Sequence, residues 1–191
     1  MMIKPAHYIA AAVLLLLALT LVSTAHLSKP LRLQQAQQAH WQTLQALLPE
    51  SMQNPDITFE TLKLMQQDSS ETTFYYVAKQ NNAAIARIIP VRRQGFVAAI
   101  ESWVVIDQQG RVVGVHIAEH KESASLIGDH LDMHSPWLEG FKGLSIENNI
   151  PSIDHITQAT ISTRAVIQSV QQALRVAQEQ QNSLNEQNPH E

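Results

Sequence analysis

An uninterrupted apolar stretch near the N-terminus is the feature that most constrains how this chain can fold. Residues 8–27 read YIAAAVLLLLALTLVSTAHL and contain no Asp, Glu, Lys or Arg. This length matches the roughly 20 residues with which a helix crosses the hydrocarbon core of a bilayer. A cleaved signal peptide is the alternative, with Lys4 at its start and small residues, Ser23 and Ala25, before the cut. We favour a membrane anchor over residues 1–30, because the stretch is long for a signal peptide.

Composition limits the classes of function open to the rest of the chain. With 191 residues, the chain is long enough for one domain with a core, plus an appendage. Its 13 Lys and Arg against 17 Asp and Glu give a net charge of -4, and no basic patch indicates a nucleic-acid partner. The absence of Cys excludes disulfides, thiolate catalysis and Cys-ligated metal sites.

Hydrophobic periodicity predicts the first elements after the anchor. Residues 31–50 are predicted to form a connecting amphipathic helix that ends near Pro49. The period then changes to two, which predicts short strands within 57–64, 74–77 and 83–89, the last of them ended by Pro90. The apolar stripe of the helix consists of Leu33, Trp41, Leu44, Leu47 and Leu48.

A β-hairpin is the clearest secondary-structure signal. Segments 96–107 and 111–120 are rich in Val and Ile and flank a short turn in which Gly110 is suited to a positive φ. Segment 123–134 is polar and is predicted to be irregular. Segment 135–141 predicts a single helical turn that carries two aromatic residues as core anchors.

The C-terminal part predicts one long helix. It is expected to run from Ser162 to about Gln181, and a polar tail, 181–191, follows it. The fold is therefore predicted to be α+β: a single N-terminal transmembrane helix, then a domain over 51–180 with an antiparallel sheet and flanking helices. The buried stripe of the last helix is predicted to contain Val166, Val170, Ala173, Leu174 and Ala177.

Candidate chemistry concentrates in the segment 154–166, DHITQATISTRAV, where small hydroxyl residues precede the long helix. The first turn of a helix offers unpaired N–H groups and the positive end of the helix dipole, which suit a phosphate. Simple helix capping is the alternative for such residues. A metal site is a less favoured hypothesis, because no zinc-ligand spacing occurs among its candidate residues. These are His116, His120, His130 and His134.

Four segments occur together in an order typical of one known family. They are ALLP at 46–49, VVIDQQGRVVGVHIAEHKE at 104–122, SPWLEGFKG at 135–143 and the hydroxyl-rich segment 154–166. With the N-terminal anchor and Gly128-Asp129, this ordered set resembles the G subunit of the Rnf electron-transport complex. It is more distantly similar to the C subunit of the sodium-pumping NADH:quinone reductase.

The resemblance implies an FMN-binding domain in which Thr160 carries FMN through a phosphoester bond. Trp137 would pack beside the flavin. The remaining cofactor contacts that the resemblance implies are Asp154, Thr157, Ala159 and Ser162 around the attachment site, and Glu122, Leu126 and Gly128 after the hairpin.

The resemblance also implies a place in a larger assembly. The chain would be the flavin-carrying subunit of a redox-driven ion-translocating oxidoreductase, a translocase that couples electron transfer between ferredoxin and NAD to ion transport. It would be a single-pass protein of the bacterial inner membrane, with its domain on the periplasmic side. Its partners would be the other membrane subunits and a flavin transferase that attaches the FMN.

The chain departs from the family pattern at three places. Gln158 stands where the attachment motif has glycine. The loop 123–129 reads SASLIGD instead of TPGLGD, with one additional residue and with Ser125 for the first glycine. Val97 and Ala98 stand where the family tends to have glycines. Two alternatives therefore stay open: a flavin-free assembly subunit of the same complex, and an exported ligand-binding domain with a cleaved leader.

Overall fold

A computed structural model describes residues 38–65, 72–132, 135–147 and 159–187. The predicted anchor, residues 1–30, lies outside this range. Among the described residues, no helix is both long enough and apolar enough to cross a membrane. The first described helix, α1, occupies residues 38–47. The chain divides into two compact units, and the boundary follows Thr43. The described part of the first unit, 38–43, is helical, and the architecture below is that of the second unit.

Among the described residues of the second unit, five antiparallel strands form a single sheet in chain order, so each strand pairs with the next one along the sequence. This confirms the predicted antiparallel sheet. The consecutive order follows from short connections, which join antiparallel neighbours directly. The strands are β1 (Thr58–Met65), β2 (Thr72–Gln80), β3 (Ala83–Gln94), β4 (Ala99–Asp107) and β5 (Val112–Glu119).

The third strand corrects the prediction that Pro90 ends it, since β3 continues through Pro90 to Gln94. Pairing of β3 with β2 stops at Ile88, whereas pairing with β4 continues, with Pro90 opposite Trp103. Proline lacks the N–H that a ladder needs, but a strand tolerates it where one side has no neighbour. The prediction was wrong because the one-sided pairing of β3 is not visible in local sequence.

The described part of segment 123–134, residues 123–132, is also more ordered than predicted, and 133–134 lie outside the described residues. A π-helical turn (Ala124–Gly128) leads into a short helix, α2 (Asp129–Leu131), and the side chains of Ile127 and Leu131 are buried. The predicted single turn at 135–141 is confirmed as α3 (Pro136–Glu139), which Ser135 caps by accepting a hydrogen bond from the Leu138 N–H.

The long helix α4 (Thr160–Gln187) packs on β3 and β4. It begins two residues before the predicted start and extends past Gln181. The five residues of its predicted apolar stripe are all buried in the main core cluster, which confirms the helical period read from the sequence. The sheet contributes Ile89, Val91, Ile100, Val104 and Ile106 to the same core.

Residues 44–48 lie against a different part of the sheet. Leu44 and Leu48, two members of the predicted stripe, are buried. The Leu47 carbonyl oxygen lies 2.9 Å from Nε2 of His116 on β5. This end of the connecting helix is therefore attached to the edge strand β5, away from the contact of α4 with β3 and β4.

Candidate functional site

A pocket of about 260 Å³ lies at the N-terminal end of α4. Three separate parts of the chain form its walls: the loop 95–98 between β3 and β4, the segment 122–127 after β5, and the start of α4. Its lining residues are Phe96, Glu122, Ile127, Ala159, Thr160, Ile161 and Ser162. Four of these were predicted site residues, and the fold brings them together from distant positions in the sequence.

Thr160 is exposed and is the first residue of α4. The N–H of Thr163 donates to the carbonyl of Ala159 over 2.9 Å, which makes Ala159 the residue that precedes the helix. Alanine has no side-chain oxygen with which to cap the first N–H groups. The first turn therefore presents N–H groups and the helix dipole beside the Thr160 hydroxyl, which is a suitable environment for a phosphate.

Arg164 lies one helical turn beyond Thr160 and is exposed. Residues four apart on a helix share a face, so Arg164 is on the same side of α4 as Thr160. Arginine binds phosphate oxygens with two parallel N–H groups. The positive charge of Arg164 and the N-terminal end of α4 together favour an anion beside Thr160.

The carboxylate of Glu122 joins two of the walls. Its Oε1 accepts a hydrogen bond from the Val97 N–H at 3.0 Å, and its Oε2 accepts one from the Ser162 hydroxyl at 2.7 Å. The Ser162 oxygen in turn accepts the Phe96 N–H at 3.2 Å. We call these three hydrogen bonds the Glu122 clasp. Glu122 is 8% exposed and Ser162 1% exposed, so the clasp is buried.

Gly95 is required for the loop to approach the clasp. A Cβ atom at this position would lie 2.5 Å from Glu122 Oε1, 2.8 Å from the Ala98 carbonyl oxygen and 2.9 Å from Ile100 Cδ1. Two of these atoms are held by hydrogen bonds or by the backbone, so they cannot move aside cheaply. Only glycine brings the backbone this close to the carboxylate.

The π-helical turn supplies Ile127 to the pocket. The Gly128 N–H donates to the Ser123 carbonyl over 3.0 Å, a bond that spans five residues instead of the four of an α-helix. The turn accommodates the additional residue of loop 123–129 in this way. As a result Ile127, which was not predicted as a site residue, lines the pocket. Leu126, which was predicted, belongs to the same turn.

The other predicted site residues are distributed as follows. Gly128 closes the π-helical turn but does not line the pocket. Trp137 is partly buried against the core, where it packs edge-on on Phe141 with ring centroids 5.2 Å apart, and it does not line the pocket. Asp154 and Thr157, with Gln158, lie outside the described residues.

Sequence reasoning missed three apolar residues of the pocket. Phe96 and Ile161 are large, and they are 64% and 51% exposed. With Ile127 they give the pocket an apolar wall that could receive a flat ring system. The sequence offered no signal for these residues, because the exposure that distinguishes Phe96 is a property of the fold.

Two of the three departures from the family pattern carry no backbone strain. Apart from glycine, the described residues with positive φ are Asn81 and Asn82 only. Val97, Ala98 and Ser125 therefore have ordinary backbone conformations, which any residue adopts. The Val97 side chain points outward, 55% exposed, while its N–H joins the Glu122 clasp.

The described residues give no support to the hypothesis of a histidine metal site. Among the residues that the structure describes, no group of three His, Cys, Asp or Glu side chains could hold a metal ion. Instead, His116 contacts the Leu47 carbonyl, and His130 is exposed. His134 lies outside the described ranges.

Comparison with known proteins identifies similar sequences. Residues 95–175 match the model of the FMN-binding domain family. The chain is 34% identical over 112 residues to the G subunit of the ion-translocating oxidoreductase complex of Pseudomonas aeruginosa strain UCBPP-PA14. That alignment covers 52% of each protein, so the chain spans about half the length of this relative.

Longer alignments occur with other proteins of the same name. The G subunit of Pectobacterium atrosepticum is 29% identical over 161 residues, covering 77% of both chains. The crystal structure of Shewanella oneidensis NqrC has a TM-score of 0.46, is 18% identical, and covers 65% of this chain and 66% of that one. The resemblance to G subunits predicted from the sequence is thus confirmed by the sequence matches.

Proposed function

We propose, from the premise that this chain is a relative of the G subunits of ion-translocating oxidoreductase complexes, that it is the flavin-carrying subunit of such a complex. FMN would be attached through its phosphate to the Thr160 oxygen. The observation that carries this proposal is the position of Thr160: exposed, at the start of α4, and in the wall of a pocket within the matched FMN-binding domain.

The residues around the pocket fit FMN. A phosphoester at Thr160 would have the N–H groups of the first turn of α4 and Arg164 as its electrostatic partners. The apolar side chains of Phe96, Ile127 and Ile161 suit an aromatic ring. When bound, FMN supplies the transfer of one or two electrons, and the chain supplies its position and surroundings.

The remaining predicted features belong to this proposal. Residues 1–30 would anchor the chain in the bacterial inner membrane, and 31–50 would connect the anchor to a periplasmic domain over 51–180, with 181–191 as a polar tail. The complex would be a translocase that couples electron transfer between ferredoxin and NAD to ion transport. Its other membrane subunits and a flavin transferase would be the partners.

Intact-mass spectrometry tests the attachment. The chain, produced together with its flavin transferase, is expected to carry an added mass equal to one FMN less one water. Thr160→Ala is expected to abolish the addition, because it removes the oxygen that forms the bond. Thr61→Ala, an exposed threonine on β1, is the matched control and is expected to retain it. An unmodified wild-type mass would contradict the proposal.

A flavin-free assembly subunit is the second candidate, and Gln158 in place of the motif glycine favours it. On this hypothesis the chain purifies with its complex but has no yellow chromophore. The subunits of the native complex are separated on a denaturing gel to distinguish the two candidates. Flavin absorption that stays with this subunit supports the flavin carrier. Its absence, with the subunit still present, supports the assembly role.

A further inference from the structure

Glu122 supports an inference about how the pocket is closed. We propose that Glu122 is a positioning residue whose clasp holds the loop 95–98 against the first turn of α4, so that Phe96 covers the pocket beside Thr160. The identity of what is covered rests on the proposed function, whereas the Glu122 clasp is a property of the chain alone.

Both carboxylate oxygens of Glu122 are engaged with the protein. One accepts the Val97 N–H and the other the Ser162 hydroxyl. Glu122 lines the pocket but is only 8% exposed, and both its carboxylate oxygens already accept hydrogen bonds from the protein. Its action is therefore on the loop and the helix, which it joins, and reaches a bound group through them.

The loop itself has few other attachments. Within it, the Gly95 N–H donates to the Ala98 carbonyl over 2.8 Å. The side chains of Phe96 and Val97 are 64% and 55% exposed, so burial contributes little to holding them. Their N–H groups, which donate to Ser162 and Glu122, are the groups that anchor the tip of the loop. The position of Phe96 over the pocket therefore depends on the Glu122 clasp.

The fit between Gly95 and the carboxylate supports the same conclusion. The backbone of Gly95 packs so closely on Glu122 Oε1 that a Cβ would lie 2.5 Å away. A loop that moved freely would not require this contact. The close approach indicates one preferred position of the loop relative to Glu122.

Amide hydrogen exchange of the flavin-free, full-length chain tests the Glu122 clasp without any cofactor. Glu122→Ala is expected to speed exchange of the Val97 and Phe96 amides about tenfold, since it removes the acceptor of the Val97 N–H and the carboxylate that holds Ser162, the acceptor of the Phe96 N–H. Glu122→Gln keeps an oxygen for the Val97 N–H and is expected to stay within about threefold of wild type. The control, Glu119→Ala, changes an exposed carboxylate three residues earlier and is expected to leave the loop unchanged.

Unchanged exchange in Glu122→Ala, or equally fast exchange in the Gln variant, would overturn the positioning role. Should Glu122→Ala fail to fold, Ser162→Ala replaces it. That variant removes the acceptor of the Phe96 N–H, and the Phe96 amide is expected to exchange about tenfold faster. A Phe96 amide that exchanges as in wild type would overturn the role equally.

Iodide quenching of flavin fluorescence in the flavin-loaded chain then tests the cover. Glu122→Ala and Phe96→Ala are expected to raise the quenching constant at least about twofold, and Glu119→Ala to leave it unchanged. Faster amide exchange without greater quenching would overturn the role of Phe96 as a cover. A wild-type chain without flavin would contradict the proposed function, while the exchange experiment still decides the Glu122 clasp.

Discussion

Two turns of the same sheet differ in what holds them. The turn between β4 and β5, 108–111, satisfies its N–H groups with its own neighbour: Asp107 Oδ1 accepts from Gln109 and from Arg111, both over 2.9 Å. Gly110 adopts a φ of +74°, as the sequence predicts. The Gln108 side chain adds an exposed hydrogen bond to the Ala84 carbonyl.

The loop between β3 and β4, 95–98, is held from far away in the sequence. Val97 donates to a residue 25 positions on, and Phe96 to one 66 positions on. The backbone N–H groups of the first turn bond to the adjacent Asp107, and its one distant contact, from Gln108 to Ala84, is an exposed side-chain bond. The backbone N–H groups of the second loop bond instead to side chains that are buried and distant in the sequence. The loop that depends on those contacts is the one at the pocket, so its shape and the geometry of the site are set together.

The largest effect expected from this comparison comes from the two glycines. Gly95→Ala is expected to destabilise the protein by about 3 kcal/mol, because its Cβ would overlap Glu122 Oε1 and the Ala98 carbonyl. Gly110→Ala meets no atom within 4 Å but takes a positive φ, which costs about 1 kcal/mol. Urea unfolding of both variants measures the difference, and equal losses would contradict the distinction between the turns.

The C-terminal half of α4 offers a second test of long-range dependence. The Arg87 Nε donates to Gln180 Oε1 over 2.7 Å, and both residues are buried. Burial lowers the pKa of Arg87, which indicates a guanidinium that has lost much of its water. Gln180→Ala removes this acceptor and is expected to cost about 2 kcal/mol. Gln181→Ala, its exposed neighbour, is the control, and thermal unfolding showing no difference between them would count against this contact.

The stability that each turn gains from its hydrogen bonds can be compared by removing the side chain that accepts from its N–H groups. Ser162→Ala leaves the Phe96 N–H and one buried Glu122 oxygen without their partner, at a cost of about 1.5 kcal/mol. Asp107→Ala removes two acceptor contacts, but water replaces them at this exposed turn, and about 0.5 kcal/mol is expected. Denaturant midpoints give both values. A larger loss in the Asp107 variant would reverse the comparison.

The smallest effect is expected at a third turn, between β2 and β3. Asn81 and Asn82 both have positive φ, 51° and 65°, which is the conformation that favours Asn-Gly. Asn82→Gly is therefore expected to stabilise the protein by a few tenths of a kcal/mol. The control, Asn54→Gly, loses the oxygen that accepts the Asp56 N–H and is expected to destabilise instead. Thermal melting of both variants checks the opposite signs.

Local signals predicted much of the fold but only part of the site. The turn at Gly110 and the buried stripe of α4 were predictable, because turn chemistry and helical period are properties of neighbouring residues. Thr160, Ala159, Ser162 and Glu122 were named from the resemblance, and they line one pocket. Ile127 was missed because the π-helical turn, a response to one additional residue, decides which side chain of that loop points inward.

By itself the sequence determined the antiparallel strands, the hairpin turn and the apolar face of the last helix, since each depends on a period or a turn of a few residues. Only the tertiary structure decided that Pro90 lies within a strand, that Ile127 reaches the pocket, and that Glu122 joins the loop 95–98 to α4. Those outcomes depend on which buried donors meet which acceptors across long separations in the chain, and no local pattern encodes that pairing.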